Sequence, residues 1–375
     1  MNELYTPPIQ PAPAPVRVPL PLTKPLFSWI ILGFNGLVWL LMTLNGGSTD
    51  TSVLINFGAK VTWLVAGGEY WRLFTAIFLH IGIIHLAFNS YALYSLGPQI
   101  ESLFGRGRFL TIYFLSGLAG SIASYDLSES LSAGASGAIF GLIGALAVFL
   151  QSHRKILGRR GQQGLVNIIV VILFNLLLSF SVPGIDVWGH LGGLAGGLIV
   201  GRLLSPEYKL VADTPTSVRL IDLNNVQRQV RFLLLIGVIL VICAALGTLR
   251  WQNSAKTYLL RGVMLLEQDA LEPALNEFEQ AAVKEPRNTE AFFYLGLTHQ
   301  KLGQYPEAAA AYENAISIEP DLGQARWNLA LTYVTMGRQQ AALEQFQTYL
   351  EIAPEAENAA QARGWIVQLK NLQQP

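Results

Sequence analysis

Seven long apolar stretches punctuate the first two thirds of the chain, at residues 26–45, 82–99, 109–125, 136–151, 165–182, 188–204 and 230–248. None alternates apolar and polar residues with a period of two. An unbroken apolar run of about 20 residues predicts a helix that crosses hydrocarbon, because only a helix or a closed barrel satisfies its own backbone there. The fourth and sixth stretches are short and rich in glycine, so they are expected inside the bundle, shielded from lipid by the others.

Beyond residue 250 the pattern changes to polar helices that repeat. Pro286, Pro320 and Pro354 are spaced 34 apart, as are Ala274, Ala308 and Ala342, the aromatic series Phe278, Tyr312 and Phe346, and the pair Gly303 and Gly337. A small residue recurs at Gly262, Gly296 and Ala330. Small residues let paired helices approach, aromatics fill the seam between them, and a proline ends each second helix. The pattern resembles tetratricopeptide repeats over about residues 255–355, with a capping helix after Pro354. The resemblance implies a soluble α-solenoid over 255–375 whose concave face takes an extended peptide or a protein partner. A spacer or dimerisation module fits the same residues equally well.

Composition agrees with a membrane protein. Of 375 residues, 13% are charged and 51% hydrophobic, and the formal net charge is zero, so no basic field points to nucleic acid. The lone cysteine, Cys243, leaves no disulfide framework and no thiol-based metal site. Residues 1–25 are proline-rich and precede the first apolar stretch, so that stretch does not read as a cleaved signal peptide, and the tail is expected to be an extended cytoplasmic arm.

Lysines and arginines set the expected orientation. Arg17 and Lys24 precede the first stretch, Arg106 and Arg108 separate the second from the third, and Arg154, Lys155, Arg159 and Arg160 separate the fourth from the fifth. Arg202, Lys209, Arg219, Arg228 and Arg231 lie between the sixth and seventh, whereas "YDLSESLSA" between the third and fourth and "SVPGID" between the fifth and sixth carry no positive charge. The positive-inside rule puts the N-terminus in the cytoplasm. Seven crossings then put the repeats outside, and a plasma membrane is the expected setting. The expected organisation is a tail at 1–25, a membrane core at 26–204, a cytoplasmic linker at 205–229, a seventh crossing at 230–248 and repeats at 255–375: all-α, a polytopic bundle followed by a solenoid.

Polar side chains at membrane depth are costly and call for a role. His85 and Asn89 are spaced i and i+4 at the start of the second stretch, on one helix face. Ser136 opens the fourth and His190 lies near the start of the sixth. All three stretches enter from outside, so these four residues converge at one depth. Gly137 and Gly141, with Gly189, Gly193 and Gly197, allow close helix contact and bring serine and histidine together.

Such a set supports acyl transfer: His190 takes the Ser136 proton and returns it to the leaving amine, while an amide, an imidazole and backbone N–H groups bind the developing oxyanion. Asp186 is the nearest acid but lies in the loop, so a dyad is expected and not a triad. Taken singly, Ser136 reads as a helix cap or packing residue, His190 as a buried histidine bonded to a carbonyl, and His85 with Asn89 as interhelical glue. A metal held by His80, His85 and His190 would lack a carboxylate or cysteine and leave the serine unexplained, so no metal or cofactor is expected.

The stretches "EYWRLFTAIFLHIGIIHLAFN", "LGPQIESLFGRGRF", "GASGAIFG" and "GHLGGLAGG" resemble the rhomboid family of intramembrane serine proteases over about residues 60–204. The resemblance implies a six-helix core with Ser136 as nucleophile and His190 as general base. It implies Asn89, His85 and the Ser136 backbone N–H as oxyanion donors, with Gly134 allowing close backbone approach. It makes Trp71, Arg72, Glu101 and Gly105 structural. The implied partners are transmembrane protein substrates in a lipid bilayer, cut near the outer face. A catalytically silent scaffold and a transporter are the alternatives; intact serine and histidine speak against the first, and the lack of inverted repeats or an intramembrane carboxylate against the second.

Overall fold

The computed structural model describes residues 22–182, 184–214, 217–224 and 226–372, so the tail expected at 1–25 lies outside the described residues up to residue 21. The chain divides into two units, Met1–Lys60 with Trp71–Cys243, and Val61–Tyr70 with Ala244–Pro375. Residues 61–70, placed by sequence in the membrane core, therefore group with the repeats.

The first unit is built on α1 (Phe27–Leu44), followed by a loop that folds into short helices, α2 (Thr51–Asn56), α3 (Thr62–Ala66, in the second unit), α4 (Arg72–Thr75) and a 3₁₀ turn at Ala76–Phe78. Then come α5 (Gly82–Phe104), α6 (Arg106–Leu127), α7 (Ser136–Ser152), α8 (Arg154–Ser181) and α9 (Val187–Leu204). A hairpin of β1 (Tyr208–Thr214) and β2 (Ser217–Asp222) leads to α10 (Val226–Trp251). Every predicted apolar stretch falls on a helix.

Among the described residues four helices are long and apolar enough to cross a membrane alone: α1, α8, α9 and the Gln229–Trp251 part of α10. The bent pair Arg72–Phe78 and Gly82–Phe104, turned through 85°, would make a fifth. The stretch 109–125 lies on α6, which does not qualify alone because serines and glycines dilute its apolar residues. The stretch 136–151 lies on α7, which has 17 residues and is buried over most of its length. Both are shielded by neighbours, since α7 packs on α6 and α9 as well as on α5 and α8.

Glycines decide how close those neighbours come. A Cβ on Gly193 would lie 2.1 Å from Gly137 O, one on Gly197 2.0 Å from Gly141 O, and one on Gly120 2.6 Å from Gly189 O. α6, α7 and α9 thus meet backbone to backbone, and a methyl group at any of these positions would force them apart. Apolar residues facing inward, among them Leu93, Phe109, Tyr113, Leu142 and Phe149, form the core around this contact. Outward residues such as Leu173, Phe174 and Leu177 on α8 and Leu234, Leu235 and Val241 on α10 are exposed, as a lipid-facing surface requires.

Two departures concern the connections expected to be cytoplasmic. The basic segment at 154–160 is helical and runs on into α8 across a kink at Gly158, where φ is +58°. The linker at 205–229 contains the antiparallel hairpin, with Tyr208 opposite Asp222 and Lys209 opposite Ile221. Arg108 Nη1 on α6 reaches Asp222 Oδ2 at 2.5 Å and anchors it. Burial raises the Asp222 carboxyl pKa, but the Asn224 and Glu207 N–H groups and the Arg108 guanidinium outweigh it and hold the pKa below the usual carboxylate value.

The second unit stacks helix pairs α11 (Ala255–Glu267) and α12 (Leu271–Lys284), α13 (Thr289–Lys301) and α14 (Tyr305–Ile318), α15 (Gly323–Thr335) and α16 (Gln339–Ile352), closed by α17 (Ala359–Leu372). Within each pair a small residue receives the aromatic of the next helix. Cβ atoms on Gly262 and Gly296 would lie 2.5 and 2.6 Å from the rings of Phe278 and Tyr312. The turn inside each pair needs a left-handed residue, supplied by Gly303 at φ +75° and Gly337 at +73°, and in the first pair by Asp269 at +58°.

Candidate active site

Ser136 is the first residue of α7, after a loop pinned on both sides. Lys60 and Ser132 exchange backbone hydrogen bonds at 2.9 and 3.0 Å, and Gly134 N–H donates to Ala76 O at 2.9 Å. Buried Lys60 threads its ammonium beneath, donating to the carbonyls of Ser124, Ser128 and Ser130 at 3.3, 3.1 and 2.7 Å. Burial lowers the Lys60 pKa to about 8, opposed by the charge of Asp186. The capping position of α7 is Ala135, and the Ser136 hydroxyl makes no capping bond. The serine therefore stands half-buried beside the first-turn N–H groups of a helix, which have no intrahelical acceptor.

His190 sits in the first turn of α9, whose N-terminus Asp186 caps by accepting from Gly189 N–H at 2.9 Å. The imidazole is buried and stacks on Phe140, ring centroids 4.5 Å apart and planes at 16°. Phe140 is four residues after Ser136, one turn along the same face of α7, so the histidine lies on the serine's side of that helix. Its Nδ1 is 2.7 Å from Ser179 Oγ on α8. Among the described residues no hydrogen bond joins Ser136 Oγ to His190, as is common for such pairs without a ligand. Asp186 binds the helix end and Ser132 Oγ, not the imidazole.

His85 comes in from α5. A Cβ built on Gly134 would lie 2.8 Å from His85 Cε1, 2.9 Å from Nε2 and 3.6 Å from Ser136 Oγ, so histidine and serine flank the same backbone atom. At φ +146° that position is also one that L side chains rarely adopt. Ile81 N–H donates to His85 Nδ1 at 3.3 Å, which makes Nδ1 the acceptor and leaves Nε2, on the Gly134 side, to carry the proton of the neutral ring. Asn89, one turn further, is buried and donates to His85 O at 3.1 Å. His80 lies against His85, centroids 5.3 Å apart, with Nδ1 toward Phe78 O.

The remaining motif residues lie outside this cluster. Glu101 is fully buried and accepts from the N–H groups of Leu26, Phe27 and Ser28 at 2.8, 2.9 and 2.8 Å and from Ser28 Oγ at 2.5 Å, which caps α1. Arg72 donates to Ile55 O at 2.6 Å and Ala59 O at 3.3 Å while its guanidinium lies 4.5 Å from the Trp71 ring centroid, tying the loop after α1 together. Gly137, Gly141 and Gly193 line the contact between α7 and α9. Ser179 and Lys60 lie in no quoted motif and had no signal in the sequence, whereas Phe140 lies within "GASGAIFG", four residues after Ser136, without having been singled out.

The arrangement offers a serine hydroxyl at a helix N-terminus, an imidazole below it, and an N–H donor opposite, the elements of acyl transfer. The Rhomboid domain family matches residues 67–207, and tetratricopeptide-repeat families match residues 259–321 and 295–366. Rhomboid protease GluP of Bacillus subtilis is 50% identical over 181 residues, which is 48% of this chain and 35% of that protein. Putative rhomboid protease YdcA of Bacillus subtilis is 37% identical over 46% of this chain and 85% of its own. Rhomboid-like protease 1 of Toxoplasma gondii is 36% identical over 42% of this chain and 54% of its own. The crystal structure of MamA is similar at a TM-score of 0.31, with 23% identity, over 33% of this chain and 72% of that one.

Proposed function

The chain belongs to the rhomboid family, and from that membership and the geometry around Ser136 we propose that it is an intramembrane serine endopeptidase working through a Ser136–His190 dyad. The observation that carries the proposal is the stacking of His190 on Phe140, which holds an imidazole one helical turn from a serine that caps nothing. His190 takes the hydroxyl proton as Ser136 attacks the scissile carbonyl. The tetrahedral oxyanion is met by the first-turn N–H groups of α7 and by His85 Nε2–H, with Asn89 one turn away on the same face of α5. Collapse gives the leaving amine its proton from His190, and water then releases the acyl-enzyme by the reverse use of the same base.

The substrate in this reading is a transmembrane protein whose segment unwinds near the outer face, because a helix hides its carbonyls from a nucleophile. The N-terminus is cytoplasmic and the repeats are extracytoplasmic, in a plasma membrane, where they take a protein or peptide partner.

Labelling of the protein in native-like membranes by a fluorophosphonate probe tests the chemistry. Labelling of wild type that disappears in Ser136→Ala and His190→Ala supports an activated serine; no labelling of folded wild type sinks the proposal and favours the silent scaffold. Protease protection in oriented vesicles tests the topology, and repeats shielded with the cytoplasmic side overturn it.

A further inference from the structure

His190 has no carboxylate on its second nitrogen, yet that nitrogen is not idle. Ser179 Oγ, buried on α8, lies 2.7 Å from His190 Nδ1 and 2.7 Å from Asn175 O one turn back on its own helix. A serine hydroxyl has one proton and a carbonyl oxygen has none. Were the proton given to Nδ1, two lone-pair oxygens would face each other at 2.7 Å with nothing between them, a separation that belongs to an O–H···O bond. Both contacts are satisfied only if Ser179 donates to Asn175 O and accepts from an Nδ1–H of His190.

From this proton inventory we propose that Ser179 is a positioning residue that fixes His190 in the Nδ1–H tautomer, leaving the Nε2 lone pair as the base for Ser136. The inference rests on the dyad reading above and deepens it. In a dyad without an acid, something else must choose the tautomer and hold the ring, and a carbonyl–serine relay does both without placing a second charge at membrane depth. When His190 takes up the serine proton, both ring nitrogens carry hydrogen, and Ser179 still accepts from Nδ1 with no reorganisation. Phe140 fixes the plane of the ring from one side and Ser179 fixes its rotation within that plane.

The test uses full-length protein in lipid nanodiscs. Nitrogen-15 NMR of histidine-labelled wild type, with the His190 signals identified by their loss in His190→Gln among the 5 histidines, reads the tautomer directly. A protonated Nδ1 with a free Nε2 is expected; a protonated Nε2 overturns the inference. In parallel, the rate of fluorophosphonate labelling is compared across Ser179→Thr, which keeps the hydroxyl, and Ser179→Val and Ser179→Ala, which lose it. Threonine and valine have nearly the same shape, so packing alone would not separate them. Labelling of Ser179→Thr within about threefold of wild type, with Val and Ala slower by about tenfold, is the expected result, the factor that a single hydrogen bond sustains. Equal rates for Thr and Val overturn it. If wild type is not labelled at all, the protease reading has failed, while the tautomer measurement still decides the assignment of Ser179.

Discussion

At Gly134 two constraints meet in one residue. Its φ of +146° strains any L side chain, and a methyl group there would press on the His85 ring within 2.9 Å. Gly134→Ala is therefore expected to leave a folded protein whose fluorophosphonate labelling of Ser136 falls by roughly a hundredfold, the scale of losing an oxyanion-hole donor. Labelling within a few-fold of wild type would show that His85 and the loop do not set the nucleophile. Glu101 makes the opposite kind of claim. Three backbone N–H groups and the Ser28 hydroxyl depend on it, far from Ser136 in the sequence and in a different helix. Glu101→Ala should lower stability by about 2–3 kcal/mol through unpaired donors, read as a drop in melting temperature in detergent, with labelling kept at low temperature. At this scale the sequence is informative where a residue type is expensive in its setting. Serine, histidine and asparagine at membrane depth announce themselves from the hydropathy pattern. Ser179 does not, because one more serine at the end of an apolar helix is ordinary, and its meaning lies in a contact between residues 175, 179 and 190 that only the bundle creates.

Among the elements, the glycine-lined helices govern the geometry of the pair. With the Gly193 Cα facing Gly137 O and the Gly197 Cα facing Gly141 O, there is no room for a side chain between α7 and α9. Gly193→Ala and Gly197→Val are expected to cost about 1–3 kcal/mol by overpacking and to abolish labelling before they abolish folding, since they move His190 relative to Ser136. Retained labelling with lowered stability would mean that the pair tolerates a shift in that contact.

The hairpin after α9 gives an independent check. Asp222 has its carboxylate pKa below the unfolded value of 3.8, so its contribution is present above that value and is lost as pH falls through the lower folded one. Amide-exchange protection of the strands Tyr208–Thr214 and Ser217–Asp222 should persist through pH 4 in wild type and be lost already at neutral pH in Asp222→Ala. Unbroken apolar runs and the 34-residue repeat made the helices legible from sequence. The hairpin was not, because its strands are short and lie in a polar connection, where β propensity is a weak prior against the expectation of a linker. The loop after α1 was likewise opaque, its helices being only four to six residues long and held by tertiary contacts such as Arg72 to Ile55 O.

At the scale of the whole molecule, each unit has buried clusters of its own, among them one around Tyr113, Leu142 and Phe149 in the bundle and one around Tyr312, Leu329 and Phe346 in the repeats. The 34-residue period makes much of the second cluster legible in the sequence, because each repeat presents a small residue and an aromatic at the same positions. The inclusion of residues 61–70 in that unit had no such signal. Tyr70 hydroxyl pairs with Thr248 Oγ1 at 2.9 Å, a contact 178 residues apart in sequence that no local pattern encodes. Separate cores predict separable effects. Phe346→Ala removes a fully buried ring and should destabilise the repeats by about 3–5 kcal/mol, seen as an earlier calorimetric transition. Labelling of Ser136 by a small fluorophosphonate should stay within about twofold of wild type, since on the proposed mechanism the probe needs only the dyad and its oxyanion donors. Cleavage of any transmembrane protein that first docks on the repeats should fall by contrast, so comparing the two readouts separates a solenoid that recruits substrate from one that maintains the catalytic geometry. A parallel fall in probe labelling would assign the repeats to the second task.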